Sequence, residues 1–305
     1  MPKIIVGVDE SERSKDAVAL AARLARGSDA DVLLVSAYPY DTAPSRAANA
    51  GYQHYLRDDA LATLDKAAAG LADHPRLHKR AIPDVSPPRA IQKLAEDEHA
   101  SLIVIGSSHR GAIGRVLAGT TAERLLHGAP CPVAVAPAGY AGSEGTFETI
   151  AVAYNATPES EAALEAALAL ARSLGARVRV VEVLDSALMG TPALMQGPGY
   201  VSQPGELKDR ARRHVRDKVA QLPGDIAAEP QVLLGEPEPE LAQQSERADL
   251  FVVGSRGYGP HRAVLLGSVS GRLVRDASCP VLVVPRGVAA PLEELFPAPS
   301  GTQAV

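Results

Sequence analysis

Short uninterrupted runs of Val, Ile and Leu alternate along this chain with longer segments whose apolar residues recur at helical spacing. Lys3–Val8 is the first such run, and Ser11–Arg26 carries Ala17, Leu20, Ala21 and Leu24 on one helical face. A β-branched run at Asp31–Ala37, a helical segment at Arg57–Ala72, a weaker strand at Arg76–Ile82 and a helix at Pro88–His99 follow. Leu102–Ile105 predicts a fourth strand, Val116–His127 a fourth helix and Pro132–Ala136 a fifth strand. The same order then recurs, with strands expected near 149–154, 176–183, 228–234, 250–253 and 280–284. Strands apolar throughout are buried on both faces, and strict alternation with helices implies right-handed parallel crossovers. Each series therefore predicts a doubly wound α/β domain, with ligands bound outside the strand carboxyl ends where the first and fourth strands part.

The recurrence is a duplication. Residues 106–137 and 254–285 align without a gap and are identical at 14 of 32 positions, including Gly106/Gly254, Gly111/Gly259, Gly119/Gly267, Arg124/Arg272 and Cys131/Cys279. That offset is 148 residues, whereas Asp9/Asn155 and Ser14/Ser160 lie 146 apart. The expected domains are 1–138 and 147–286. Between them, 139–146 is rich in Gly and small polar residues and reads as a flexible linker. The Pro-rich tail, 287–305, lacks periodicity and is expected to be loose.

Composition narrows the function classes. The 305 residues are 46% hydrophobic and 22% charged, enough apolar side chain for full cores. A formal net charge of -5 disfavours a dedicated nucleic-acid binder. The basic stretch Arg210–Arg216 has Glu206, Asp209 and Asp217 around it and reads as a solvated helix face. Two cysteines are too few for a disulfide framework or a CxxC zinc site, which fits a reducing cytoplasm. The opening Met1–Asp9 is too short an apolar run for a signal peptide, and no 18 apolar residues follow one another, so neither export nor a membrane span is expected. The eight His form no HxH or HExxH pattern, so no metal site is expected.

The chemistry sits in the loops after the fourth strands. Gly254, Gly257 and Gly267-Ser268 are spaced G-x2-G-x9-G-S between a strand and a helix. Glycines allow positive φ and close approach to a ligand, and the N–H groups and dipole of a helix start attract phosphate, so a nucleotide is the natural ligand. A Gly-rich turn with a Ser cap and no ligand fits the spacing equally well. No Gly-Lys-Ser/Thr P-loop and no GxGxxG fingerprint occurs.

With the strand-Asp of Val6-Gly7-Val8-Asp9 and the endings at Ala129–Val133 and Ala277–Val281, this loop resembles the universal stress protein family, over both halves. The resemblance implies a tandem form of the ATP-binding subclass: two five-stranded parallel sheets of order 3-2-1-4-5 with helices on both faces. It implies that the first-strand Asp and the end of the second strand hold the nucleoside, and the Gly loop the ribose and phosphates. By position the first site would use Gly7, Asp9, Gly106, Ser107, Arg110, Gly111, Gly119 and Thr120, with Arg115 placed to meet phosphate charge. The second would use Asn155, Gly254, Ser255, Gly257, Gly259, Gly267, Ser268 and Val269. The cofactor implied is ATP, with or without Mg. The apolar fifth strands would be sheet edges that pair with one another, an intramolecular pseudo-dimer that leaves room for a homodimer of the whole chain.

Each half departs from the pattern once. His109 stands where the first loop should have its second glycine, and Asn155 replaces the Asp in the second half, exchanging an acceptor carboxylate for an amide. Arg115 has Ala263 opposite it, with Arg262 one residue away. Two sites of unequal affinity are expected. Asp9 heads an Asp9-Glu10-Ser11-Glu12 cluster that also reads as a helix start, but its place at a strand carboxyl end favours a ligand role. Cys131 and Cys279 read as small buried residues. The expected function is regulatory ATP binding in a cytoplasmic stress-response protein, with nucleotide occupancy controlling conformation or the binding of a protein partner that the sequence does not identify. Slow ATP hydrolysis or phosphoryl transfer, and an interaction module that has lost its nucleotide, are the alternatives.

Overall fold

In a computed structural model that describes residues 1–26, 28–40, 50–107, 121–143, 145–186, 204–257, 264–265, 267–287 and 292–296, each apolar run expected to be a strand is one. The first half runs β1 (Lys3–Gly7), α1 (Glu12–Ala25), β2 (Asp31–Tyr38), α2 (Ala50–Ala68) with a 3-10 turn at Ala69–Leu71, β3 (Leu77–Pro83), α3 (Pro87–Asp97), β4 (Leu102–Gly106), α4 (Thr121–Leu126) and β5 (Val133–Ala136). The second runs β6 (Thr149–Ala153), α5 (Pro158–Leu174), β7 (Arg177–Asp185), α6 (Pro204–Ala220), β8 (Ala228–Gly235), α7 (Pro237–Gln244) and β9 (Leu250–Gly254). A short hairpin, β10 (Arg256–Gly257) and β11 (Val264–Leu265), then precedes α8 (Ser268–Asp276), β12 (Val281–Val284) and α9 (Leu292–Leu295).

All but the hairpin join one ten-stranded sheet, β3-β2-β1-β4-β5-β12-β9-β6-β7-β8. Each half is parallel in the order 3-2-1-4-5, and the halves meet where β5 and β12 pair antiparallel, with Ala134 opposite Leu282. Alternation along the strands divides the core. Ile4, Val6, Leu102 and Val104 face α1 and α2, while Ile5, Ile103 and Ile105 face α3 and α4. Both layers continue without a break into the second half, through Ile150 and Val152 on one side and Phe251 and Val253 on the other. Among the described residues no helix is long and apolar enough to cross a membrane.

Three differences from the sequence reading have local causes. Helix α2 begins seven residues earlier than its periodicity indicates, because its first turns project into solvent, with Tyr52 55% and Tyr55 65% exposed. The linker expected to be flexible is pinned instead. Asp16 of α1, 5% exposed, accepts hydrogen bonds from the N–H groups of Gly139 (3.0 Å) and Ala141 (2.8 Å). Arg23 donates to the Tyr140 hydroxyl (2.6 Å) and the Gly145 carbonyl (2.8 Å), its guanidinium lying over the Tyr140 ring. The tail is not loose over residues 292–296: α9 buries Leu292, Leu295 and Phe296 in the α1/α5 layer. Those apolar side chains recover burial that the surrounding prolines conceal in sequence.

Candidate functional site

At the carboxyl ends of the second half's strands, where β6 and β9 part, lies a cavity of about 380 Å³. Its apolar wall is Val181 and Val183 of β7, Leu241 of α7 and Val253 of β9; its polar side is Asn155, Thr157 and Ser160 at the start of α5. Gly267, Val269 and Ser270 bring the N-terminus of α8 to its rim. Asn155, Gly254, Gly267 and Val269, four residues expected from sequence, therefore share this cavity.

The turn before α5 is closed by its own side chains. The Thr157 hydroxyl donates to Asn155 Oδ1 (2.8 Å) and accepts from the Ser160 N–H, completing a capping box that fixes the helix start. Ser160 Oγ accepts from the N–H groups of Asn155 (3.3 Å) and Thr157 (3.0 Å). Between them Ala156 sits at φ 57°, a left-handed conformation costing a non-glycine residue about 1–2 kcal/mol. With Oδ1 engaged by Thr157, the amide nitrogen of Asn155 remains as a donor where a carboxylate could only accept. Glu159, also on the rim, is held by Arg286 at 3.2 Å.

Several of the glycines also have a packing role. A Cβ on Gly254 would lie 2.4 Å from the Glu159 carbonyl oxygen, and one on Gly106 2.3 Å from that of Arg13. These two positions are glycine because α5 and α1 pack backbone-to-backbone on β9 and β4, which places the helix starts beside the site. A Cβ on Gly7 would lie 3.0 Å from Ile91 and 3.1 Å from Ile105, so this glycine serves the packing of α3. Gly267 is the N-cap of α8 at φ -64° and ψ 163°, which any residue can adopt, and Gly257 lies in β10 opposite Val264. Ser268 opens α8. Ser255 and Ser107 are buried: Ser255 donates its N–H to Val284 and accepts at Oγ from the Arg286 N–H (3.1 Å), and Ser107 donates its N–H to Ala136. Both fasten the fourth strand's end to the fifth.

In the first half Asp9 Oδ1 accepts from the Ser11 N–H (2.9 Å), the Ser11 hydroxyl (2.5 Å) and the Ser14 hydroxyl (2.9 Å), so the start of α1 is organised by Asp9 rather than by a Ser11 cap. Burial pushes this carboxyl up, but the hydrogen bonds from Ser11 and Ser14 and the charge of Arg13 together outweigh it and hold Asp9 below the usual carboxylate range. Arg110, Gly111, Arg115, Gly119, Thr120 and Gly259 lie outside the described residues, as do His109, Arg262 and Ala263. The sequence reading pointed to the end of the second strand but named none of Val181, Val183 and Leu241, which form the apolar wall. The alternate valines ending the second strand were its available signal.

Among the described residues no three His, Cys, Asp or Glu side chains are grouped to hold a metal ion. Cys131 and Cys279 are buried and unpaired, and burial pushes both thiols up to about 12. At pH 8 the folded protein is expected to react with a thiol reagent roughly a thousandfold more slowly than the urea-unfolded chain. Equal rates in a stopped absorbance assay would mean that the cysteines are accessible.

A family model described as the universal stress protein family matches residues 1–137 and again 146–285. A universal stress protein of Mycolicibacterium smegmatis is 29% identical over 296 residues, covering 92% of this chain and 96% of that protein. One from Mycobacterium tuberculosis is 28% identical, covering 92% and 99%. In fold, the chain resembles the crystal structure of a universal stress protein from Archaeoglobus fulgidus, with a TM-score of 0.68 at 21% identity over 93% of this chain and 98% of that one.

Proposed function

The chain belongs to the universal stress protein family, in tandem form, and from that premise we propose that it is a regulatory adenine-nucleotide-binding protein of the stress response. The domains in this reading are 1–138 and 147–286, joined by 139–146, and the protein works in the cytoplasm. Occupancy by ATP, with or without Mg, governs conformation or the choice of a protein partner. The observation that carries the reading is the cavity at the β6–β9 parting, whose two ends suit the two ends of a nucleotide. Val181, Val183, Leu241 and Val253 offer a flat apolar wall to a base, and its volume falls in the range of small-molecule sites. The start of α8 offers backbone N–H groups and a positive dipole end to phosphate.

The two sites are unequal in this reading, because Asp9 presents a carboxylate and Asn155 an amide donor at equivalent positions. Calorimetric titration of the full chain with ATP and with AMP, beside mass spectrometry of co-purifying nucleotide, tests it. Two classes of site with dissociation constants at least tenfold apart are expected. Two identical sites, or no binding heat and no bound nucleotide, would refute the proposal.

A further inference from the structure

The duplicated halves differ on the sheet face that carries α1 and α2 in one and α5 and α6 in the other. In the second half the space between the helices is filled. Tyr154 stacks on His214 with centroids 6.0 Å apart, its hydroxyl donates to Glu161 (2.6 Å), and Lys218 bonds Glu161 at 2.6 Å while lying 5.9 Å from the Tyr154 ring centre. In the first half, Val8 and Lys15 occupy the positions of Tyr154 and Glu161. Setting the buried Ala60 and Leu64 of α2 against the buried Ala211 and Val215 of α6 puts Thr63 and Ala67 opposite His214 and Lys218. Those four first-half residues line a cavity of about 730 Å³. At Gly70, which also lines it, a Cβ would come 2.6 Å from Val18, so the helices nearly touch there.

Two further observations indicate what the cavity takes. Thr63 is 8% exposed and lines the cavity, so its hydroxyl is available to hydrogen-bond a ligand there. Charge at the rim disfavours an anion: Lys15 is bonded to Glu12 at 2.7 Å, which leaves Asp9 and Glu10 against Lys66. Apolar walls of Val8, Val18 and Ala67 with acceptor carboxylates at the rim suit a neutral aromatic ring bearing a hydroxyl donor.

We propose that the α1/α2 cavity of the first half is a binding site for a neutral phenolic compound, which occupies the space that the second half fills with its own Tyr154. The ring lies against Val8, Val18 and Ala67, the phenol donates to a rim carboxylate as Tyr154 donates to Glu161, and Thr63 bonds the ligand. The site is distinct from the second-half nucleotide cavity and shares Asp9 with the residues expected at the first-half one. It is lined by α1 and α2, whereas the cavity at the β6–β9 parting is walled by α7 and α8.

The test is fluorescence titration of the full chain with 2-naphthol, with 2-naphthoate as the anionic counterpart. Saturable one-to-one binding is expected, with the naphthoate weaker and ATP unable to displace the naphthol. Val8→Tyr, which introduces the second half's residue, should weaken binding at least tenfold, and Thr63→Val about fivefold. Thr63→Val, nearly isosteric, decides the matter should the larger substitution fail to fold. No saturable binding, unchanged affinity in the folded variants, or displacement by ATP would overturn the proposal.

Discussion

Replacing Gly254 by alanine is expected to destabilise the protein by about 1–3 kcal/mol, the usual range for overpacking, and to weaken nucleotide binding at the second site at least tenfold. The new methyl carbon meets the carbonyl oxygen of Glu159 at 2.4 Å and its carbonyl carbon at 2.7 Å, and neither can rotate away as a side chain would. The first turn of α5 must move off β9, taking with it Thr157, Glu159 and Ser160, which line the cavity. Gly267→Ala is the matched control for stability, since its backbone conformation is open to any residue; losing a glycine N-cap should cost under about 1 kcal/mol. Chemical denaturation and ATP titration of both variants check the contrast. A Gly254→Ala protein that melts and binds like the wild type would show that the helix does not rest on the strand so closely.

Leu282→Asp is expected to cost about 3–5 kcal/mol, the penalty of a buried charge without a partner, and to unfold both halves together. Leu282 is 2% exposed, lies opposite Ala134 across the β5–β12 pair, and belongs to a core layer that draws on both halves. Leu282→Met, conserving volume, should cost under about 1.5 kcal/mol. The wild type should unfold in urea as one transition by circular dichroism and tyrosine fluorescence alike. Two separate transitions would mean that the halves are held together by their linker alone.

The strands were legible because apolar runs of this kind have few alternatives, the repeat showed that one arrangement occurs twice, and the order of the strands came from the family resemblance. That β5 and β12 need a partner was legible because Val133–Ala136 and Val281–Val284 are too apolar to be left at an edge, while their pairing with each other was what the family resemblance implied. The reason for Gly254 was not legible, since the atom it avoids belongs to Glu159, far away in sequence. Spacing alone could not distinguish a glycine that admits a helix from one that admits a ligand. Pinning of the linker by Asp16 and Arg23 was hidden likewise, its partners being on a helix at the other end of the domain. Leu292, Leu295 and Phe296 do stand at helical spacing, but Pro291 and Pro297 bracket so short a signal that it reads as tail.

The joining of β5 to β12 leaves β3 and β8 as the outermost strands, and neither invites an eleventh. On β3 the exposed residues are His78, Lys79, Arg80 and Pro83, and on β8 they include Glu229 and Pro230; each edge thus carries charged side chains and a proline, which has no N–H to give a new ladder. The polymerisation hazard of an open sheet is thereby confined to two strands armed against it.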